Sequence, residues 1–394
     1  MTSEADGDSH GEARFSSHRG RRLAAAAGPE PLTVGVEEEY LLVDPLTRRV
    51  SPQAPKVVAQ ASSLGLGDRV GPELTRYQVE VRSDPHTAME ELHEQIRSTR
   101  AVVAAAAARH GLNIISSGAP VLGRPTAPPV ISEGERYARS LATFRALDDD
   151  QTACACHVHI GVPDLAVALE VSNHLRVWLP ALIALSANSP YWMGRDTGYA
   201  SWRTMALARW PVAGPPPHFE SPAHFEDLVG SVMEAGAVMD RGGLYWDIRP
   251  SDHVPTLEVR VADAAATADD TVLVAALVRA MVATALSAID AGEPAPRPRP
   301  ELLRAACWRA ARDGLAGSSA DLPAGRLVPA TVRVERLLTW VRPALRRLGD
   351  LELVSAGWTR LRTGGNGADR QRAAYRRRAS LTDVVDHLLA AGTA

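Results

Sequence analysis

The segment Val34 to Val43, VGVEEEYLLV, constrains this chain more than any other, because it reads as a β-strand carrying three consecutive acids. Side chains alternate across a strand. Glu37 and Glu39 therefore share one face with Gly35 and Leu41, while Val36, Glu38 and Tyr40 share the other. Two carboxylates one strand repeat apart repel each other and resist burial unless a cation lies between them. A metal ion is the simplest such cation. Glu38, facing the opposite way, is expected to serve packing or solubility rather than catalysis.

Four further segments read as strands, each with one apolar and one polar face. In Leu74 to Arg82 the residues Tyr77, Val79 and Val81 oppose Arg76, Gln78, Glu80 and Arg82. In Ala153 to Val162 the small apolar set with Cys154 and Cys156 opposes His157 and His159. In Leu244 to Arg249, Trp246 and Ile248 oppose Tyr245, Asp247 and Arg249; in Thr256 to Val261, Leu257, Val259 and Val261 oppose Glu258 and Arg260. A solvated sheet face is common in antiparallel sheets, but it usually carries Lys, Thr, Ser and Gln. Five strands that all choose Glu, His or Arg describe a charged basin.

Between the strands lie helical segments. One runs from Pro85 to His110, with Asp84 as cap and Gly111 as terminator; others run from Leu165 to Ala187 with Asp164 as cap, from 223 to 239, and from Asp269 to Ala291. From Glu301 onward the spacing is helical throughout, broken at Gly364 to Gly367. Asn113 to Ser117 reads as a short strand, and Pro120 to Pro129 as a loop able to cover a site. The irregular stretch 188 to 220 is long for a connection and points to function. The class is α+β: an antiparallel sheet with a polar, metal-lined face and helices packed on its other face. Residues 1–30, polar and without apolar periodicity, are expected to be a disordered tail. Residues 31–394 are expected to form a single catalytic domain with a helical C-terminal region from about 300 to 394.

Composition excludes several chemistries. Lys56 is the only lysine and follows Pro55, so there is no Walker A loop, no kinase strand lysine and no Schiff-base lysine for pyridoxal phosphate. With 43 basic and 46 acidic residues, a net charge of −3 gives no bulk reason to expect nucleic acid or an anionic membrane as partner. The three cysteines, Cys154, Cys156 and Cys307, cannot make a disulfide framework. No run reaches the roughly 20 uninterrupted apolar residues of a membrane span, and a cytoplasmic location is expected. Zinc at CACHVH is disfavoured because alternation aims the cysteines away from the histidines. Hard oxygen donors in this number suit Mg²⁺, with Mn²⁺ as the alternative, and arginines beside such ions hold phosphate oxygens. Carboxylates, divalent ions and arginines in one basin describe a nucleoside triphosphate site without a P-loop.

The ordered motifs GVEEEYLLVD (35–44), ELTRYQVEVRSDP (73–85), CHVHIGV (156–162), YWMGRDTGYASWR (191–203), LYWDIRPS (244–251) and TLEVRVAD (256–263) together resemble the glutamate-cysteine ligase type 2 family, in its bacterial carboxylate-amine ligase branch. The resemblance implies a glutamine synthetase-like catalytic fold. It also implies ATP-dependent ligation of a carboxylate, such as that of glutamate, to an amine, such as cysteine, through an acyl phosphate; glutamate-cysteine ligase activity is weak in that branch. It assigns metal binding to Glu37, Glu39, Glu73, Glu80, His157 and Glu258. ATP would contact His157, His159, Arg82 and Arg260; Arg260 and Arg249 would act in catalysis, with Arg195, Tyr199 and Arg203 on the substrate. A homodimer is expected by the same resemblance. The competing readings are a guanidino-kinase-like phosphotransferase on the same superfold and a non-catalytic metal-binding homologue.

Overall fold

In the computed structural model, which describes residues 32–124, 129–149, 151–322 and 324–392, the acidic segment forms strand β1 (Val34–Val43) with the bounds expected from its alternation. The strands that join it are β2 (Val70–Pro72), β3 (Gln78–Arg82), β4 (Asn113–Ile115), β5 (Ala155–Gly161), β6 (Ile248–Pro250) and β7 (Thr256–Asp263). They make a seven-stranded sheet in the order β6-β7-β5-β1-β3-β2, and β4 pairs with the end of β1 at Leu41 to Val43. Every pairing is antiparallel. The expected disordered tail, residues 1–30, lies outside the described residues, as does the middle of the Pro120 to Pro129 loop.

One face of the sheet is buried under helices, as expected. Val36 of β1, Cys156, Val158 and Ile160 of β5, and Leu257, Val259 and Val261 of β7 pack against the long helix Ala268–Asp290. That helix is long and apolar enough to cross a membrane by length and composition, yet here it is a core helix with both Val272 and Met281 buried. Tyr40, Leu42, Val79 and Val81 pack under the helices Ala54–Ala61 and Met89–Ala108. Along β1 the opposite face is polar at Glu37 and Glu39. Beyond them Leu41 and Val43 are sealed by Tyr191, Ile115 and the C-terminal helix Leu381–Gly392, which closes that end of the basin.

Several expected boundaries move for identifiable reasons. The helix expected from Pro85 begins at Met89, because His86 exchanges backbone hydrogen bonds with Val34 (2.8 Å each) and stays extended. Asp84 caps nothing; its carboxylate is held by Arg69 (3.0 Å) and Gln95 (2.5 Å). Leu165 to Ala187 is two helices, Leu165–Leu175 and Leu179–Ser186, parted by a 3₁₀ turn where Pro180 starts the second. Its cap, Asp164, is confirmed by a 2.9 Å hydrogen bond from the Val167 amide. The C-terminal region is not helical throughout: a hairpin, Ser318–Asp321 with Arg326–Pro329, interrupts it at a turn where Gly325 takes a positive φ.

Glu38 is the one acid of β1 that enters the core. Its carboxylate receives Arg100 (2.6 Å), Thr271 (2.5 Å) and Tyr40 (2.5 Å), and Arg100 also donates to the carbonyl of Ala265 (3.0 Å). The pair ties β1 to the helix Met89–Ala108 and to the start of Ala268–Asp290. Burial alone would raise the Glu38 carboxyl; the Arg100 charge and hydrogen bonds outweigh it and hold it below the usual range. Glu38→Gln should cost about 3–5 kcal/mol, because it leaves a buried guanidinium without its counter-charge. A depressed folded pKa contributes stability above the unfolded-state carboxyl pKa of about 4.3. The gap between wild type and variant in chemical denaturation is therefore expected to be full at neutral pH and to shrink as the pH falls through the folded value.

Candidate active site

The polar face of the sheet is assembled by register. Glu37 lies between Arg82 on β3 and His157 on β5, and Glu39 lies opposite Glu80. Glu258 on β7 lies between His159 on β5 and Arg249 on β6. Glu37, Glu39, Glu80, His157 and Arg249 of these rows floor a cavity of about 240 Å³, whose walls include Glu73, Arg136, Arg203, Tyr245, Asp247 and Arg260. Tyr245, Asp247 and Arg249 line it together, as their alternation implied, although Tyr245–Trp246 pairs in parallel with Ala213–Gly214 rather than with the sheet.

Two groups of ligand atoms gather on this floor, each within 4.8 Å of one another: Glu37, His159 and Glu258, and Glu39, Glu73 and Glu80. They differ in charge balance. In the first, Glu258 accepts from Arg249 (2.7 Å) and from Arg260. Burial raises its carboxyl, but Arg260 and Arg249 prevail and set it at about 2. Against the same burial, the hydrogen bond from His157 and the His159 imidazole beside it hold the Glu37 carboxyl well below the usual range. In the second group no cation lies at hydrogen-bond distance among the described residues; Arg82 Nε stands 3.8 Å from Glu80 Oε1. Burial, then the Glu73 charge, pushes the Glu39 and Glu80 carboxyls well above the usual range. Among the described residues, Glu39 accepts a hydrogen bond from the Ala155 amide alone (3.2 Å).

The imidazoles supply the test of whether a metal fits. His157 Nδ1 lies 3.1 Å from Glu37 Oε2. A carboxylate only accepts, so Nδ1 carries the proton and Nε2 is the bare nitrogen. Burial, assisted by Arg260, lowers the His157 pKa to about 4, which keeps that ring neutral. Nε2 of His157 and Nε2 of His159 are both buried without a hydrogen-bond partner. His159 Nε2 stands 3.5 Å from Glu37 Oε1 and 3.8 Å from Glu258 Oε1, and its Nδ1 is fixed by Thr256 (2.9 Å). A lone-pair nitrogen oriented from behind, facing two carboxylates, is what a bound divalent ion requires. Three mutually repelling carboxylates make the same demand in the other group.

The expected site residues divide into three sets. Glu37, Glu39, Glu73, Glu80, His157, Arg203, Arg249 and Arg260 line the cavity, and Glu258 and His159 join it through their ion pairs. Arg82, Arg195 and Tyr199 do not line it. Arg82 reaches the Asp68 carbonyl (3.1 Å) at the sheet edge, Arg195 lies over the Trp202 ring, and Tyr199 accepts from Trp308 (3.1 Å). Arg203, from the same loop, enters because Ser201 caps the helix Trp202–Leu207 and turns it inward; its guanidinium donates to the Arg260 carbonyl (3.0 Å). Cys154 and Cys156 fall into separate apolar clusters, so neither joins the histidines at an ion. Arg136, from the helix Glu135–Phe144, lines the cavity unforeseen, since no strand alternation points to it.

Among known proteins, the model of Glutamate-cysteine ligase family 2 (GCS2) matches residues 33–387. A protein of Saccharopolyspora erythraea provisionally named glutamate–cysteine ligase 2-1 is 46% identical over 358 residues, covering 91% of this chain and 94% of that one. One of Frankia alni, provisionally glutamate–cysteine ligase 2-2, is 45% identical over 368 residues, covering 90% and 95%. The solved glutamate–cysteine ligase of Francisella tularensis, in complex with AMP, superposes with a TM-score of 0.70 at 12% identity, covering 92% of this chain and 88% of that one. That likeness shows the ligase fold the sequence motifs implied.

Because Glu39 and Glu80 must shed protons to hold an ion, Mn²⁺ binding is expected to release protons and to weaken as the pH falls. Calorimetry in buffers of different ionisation enthalpy reads this directly. Glu80→Gln should weaken Mn²⁺ roughly tenfold or more yet raise the melting temperature of the metal-free protein, since it removes a repelling carboxyl.

Proposed function

Since this chain belongs to glutamate-cysteine ligase family 2, we propose that it is an ATP-dependent carboxylate–amine ligase with glutamate–cysteine ligase activity, carried by residues 31–394 and acting through an acyl phosphate. The observation that carries this reading is the pairing of two carboxylate groups with Arg203, Arg249 and Arg260 around one cavity. No nucleophilic side chain is needed in such a reaction. The substrate carboxylate attacks the terminal phosphoryl of ATP, ADP leaves, and an amine then displaces phosphate from the acyl group.

Glu37, His159 and Glu258 would hold one divalent ion, and Glu39, Glu73 and Glu80 another, with Mg²⁺ as the expected metal and Mn²⁺ as the alternative. Bound there, such ions neutralise phosphate oxygens and polarise the phosphoryl under attack. The chain's own share is positional and electrostatic. Arg260 is kept cationic: burial works against it, and Glu258 and Glu37 more than compensate. It is thereby fixed as a charge beside the transferring group. Arg249 is anchored on the carbonyls of Gly242 and Leu244 (3.0 Å each) as well as on Glu258, which leaves it little freedom to reorganise. His157, held neutral, fixes the Glu37 carboxylate.

The supporting charges set unequal costs for mutation. Removing a carboxylate relieves repulsion at Glu39 or Glu80, whereas at Glu258 it strips Arg249 and Arg260 of their common partner. Glu258→Gln is therefore expected to lose stability along with activity, and Glu37→Gln and Arg260→Lys are the cleaner probes. Release of ADP and phosphate should require both glutamate and an amine, with γ-glutamyl amide found by mass spectrometry. Arg260→Lys should lower kcat on the order of 10²-fold. Absence of ATP turnover with glutamate across a broad amine panel would overturn the assignment.

A further inference from the structure

A second cavity, about 790 Å³, adjoins the first between the helices Trp202–Leu207 and Pro300–Asp313. Its lining is largely apolar, with Met205, Trp210, Pro211, Pro215, Cys307 and Trp308. Arg203, Leu207 and Asp247 belong to both cavities and form the wall between them. Asp247 is thus the one carboxylate common to the two. Its backbone is fixed on both sides, by the Gly214 carbonyl (2.8 Å) and the Arg260 amide (2.8 Å). Its carboxylate, by contrast, takes part in no hydrogen bond or salt bridge among the described residues.

We infer that this groove is the seat of the amine substrate, that Asp247 receives its ammonium, and that the amine accepted there carries an apolar or aromatic body. The inference rests on the ligase reading and names the co-substrate class for it. The acid and phosphate groups have arginines on the catalytic side; a cation arriving there would meet Arg203 and Arg260. The groove shares Arg203 and adds Arg304, but among its described lining residues it lacks Arg249 and Arg260, and its carboxylates are Asp247 and Glu301. A chain of three or four carbons or a ring behind the ammonium then lies against the Trp210 and Trp308 indoles and the Met205 side chain, a surface that recognises area rather than hydrogen bonds. Trp308 is exposed (36%) and Trp210 buried (4%), so the groove is open at one end and closed at the other.

Phenethylamine and 2-phenylethanol differ in the ammonium alone, and the two groove tryptophans report their binding by fluorescence. Burial pushes the Asp247 carboxyl up to about 7, against the pull of Arg203 and Arg260, so titrations belong at pH 8, where it is ionised. The full chain should bind the amine at least tenfold tighter than the alcohol. Asp247→Asn, an isosteric change whose fold is checked by its melting temperature, should bring that ratio close to one. In turnover with ATP and glutamate, the same variant should raise the KM for the amine far more than it changes the KM for ATP. Ala305→Trp, which fills the groove, should shift the kcat/KM ratio of phenethylamine to cysteine against the larger amine at least tenfold. Equal affinities in the wild type, or ratios unmoved by both variants, overturn the assignment of the groove even where ligation proceeds. Loss of all ATP turnover, with the binding ratios intact, would instead count against the ligase reading and leave the ammonium site standing.

Discussion

The fold depends on the sheet accepting β1 in a single register, and the Glu38–Arg100 pair enforces that choice. A slip of one residue would send Glu37 and Glu39 into the apolar layer beneath Ala268–Asp290 and put Val36 and Glu38 in the basin. Beneath the middle of β1 the core presents the Arg100 guanidinium, with Thr271 and Tyr40 beside it, at one height along the strand. Only Glu38 can be satisfied there, and two displaced carboxylates would find one partner between them. A buried ion pair is weak evidence for net stability; its value here lies in the cost it imposes on every other alignment. With β1 fixed, backbone pairing fixes the heights of Glu80, His157 and His159, and through β5 that of Glu258.

The sequence shows the floor of the site clearly and its walls poorly. Strand alternation has period two and needs no knowledge of tertiary packing, so Glu37, Glu39, Glu80, His157, His159, Glu258, Arg249 and Arg260 can be placed on one face from spacing alone. Arg82 obeys the same rule and still misses the cavity, because it ends its strand at the sheet edge, where the Asp68 carbonyl is nearer than any substrate. In the loop 188–220 no period exists. Arg195, Tyr199 and Arg203 look equivalent in the sequence, and what separates them is the Ser201 cap, which launches a short helix toward the sheet, together with the carbonyls of Arg260 and Val261, which receive Arg203. Capping serine before an apolar helix was a readable signal for that turn.

The same division explains the fold's departures from expectation. The apolar pattern runs unbroken across Pro180, so the spacing alone reads Leu165 to Ala187 as one helix where the structure has two. Asp84 followed by Pro85 has the composition of a helix start, and a long-range bridge to Val34 overrides it. The hairpin at Ser318 to Pro329 is short, and its strands Ser318–Asp321 and Arg326–Pro329 carry mixed composition that neither period claims. At Asp84 a contact distant in sequence outweighs a local preference worth at most about 1 kcal/mol per residue, whereas at Pro180 the ring and missing amide donor break the helix from within.

The two ligand groups show how one polar face can hold so many acids without an ion in place. Around Glu37 and Glu258 the chain itself supplies positive charge and hydrogen bonds, so these carboxyls stay ionised although buried. Around Glu39 and Glu80 it supplies almost none, and burial with mutual repulsion drives both carboxyls toward the protonated form. Protonation relieves their repulsion, and what the metal-free fold gives up at neutral pH is the free energy of taking up those protons. A cation bound there would have to displace those protons. For a divalent ion the first group would be preorganised, and the second would be completed by the ion itself. The sheet thus keeps its full set of ligands while avoiding most of the charge repulsion that the sequence VEEEY by itself would predict.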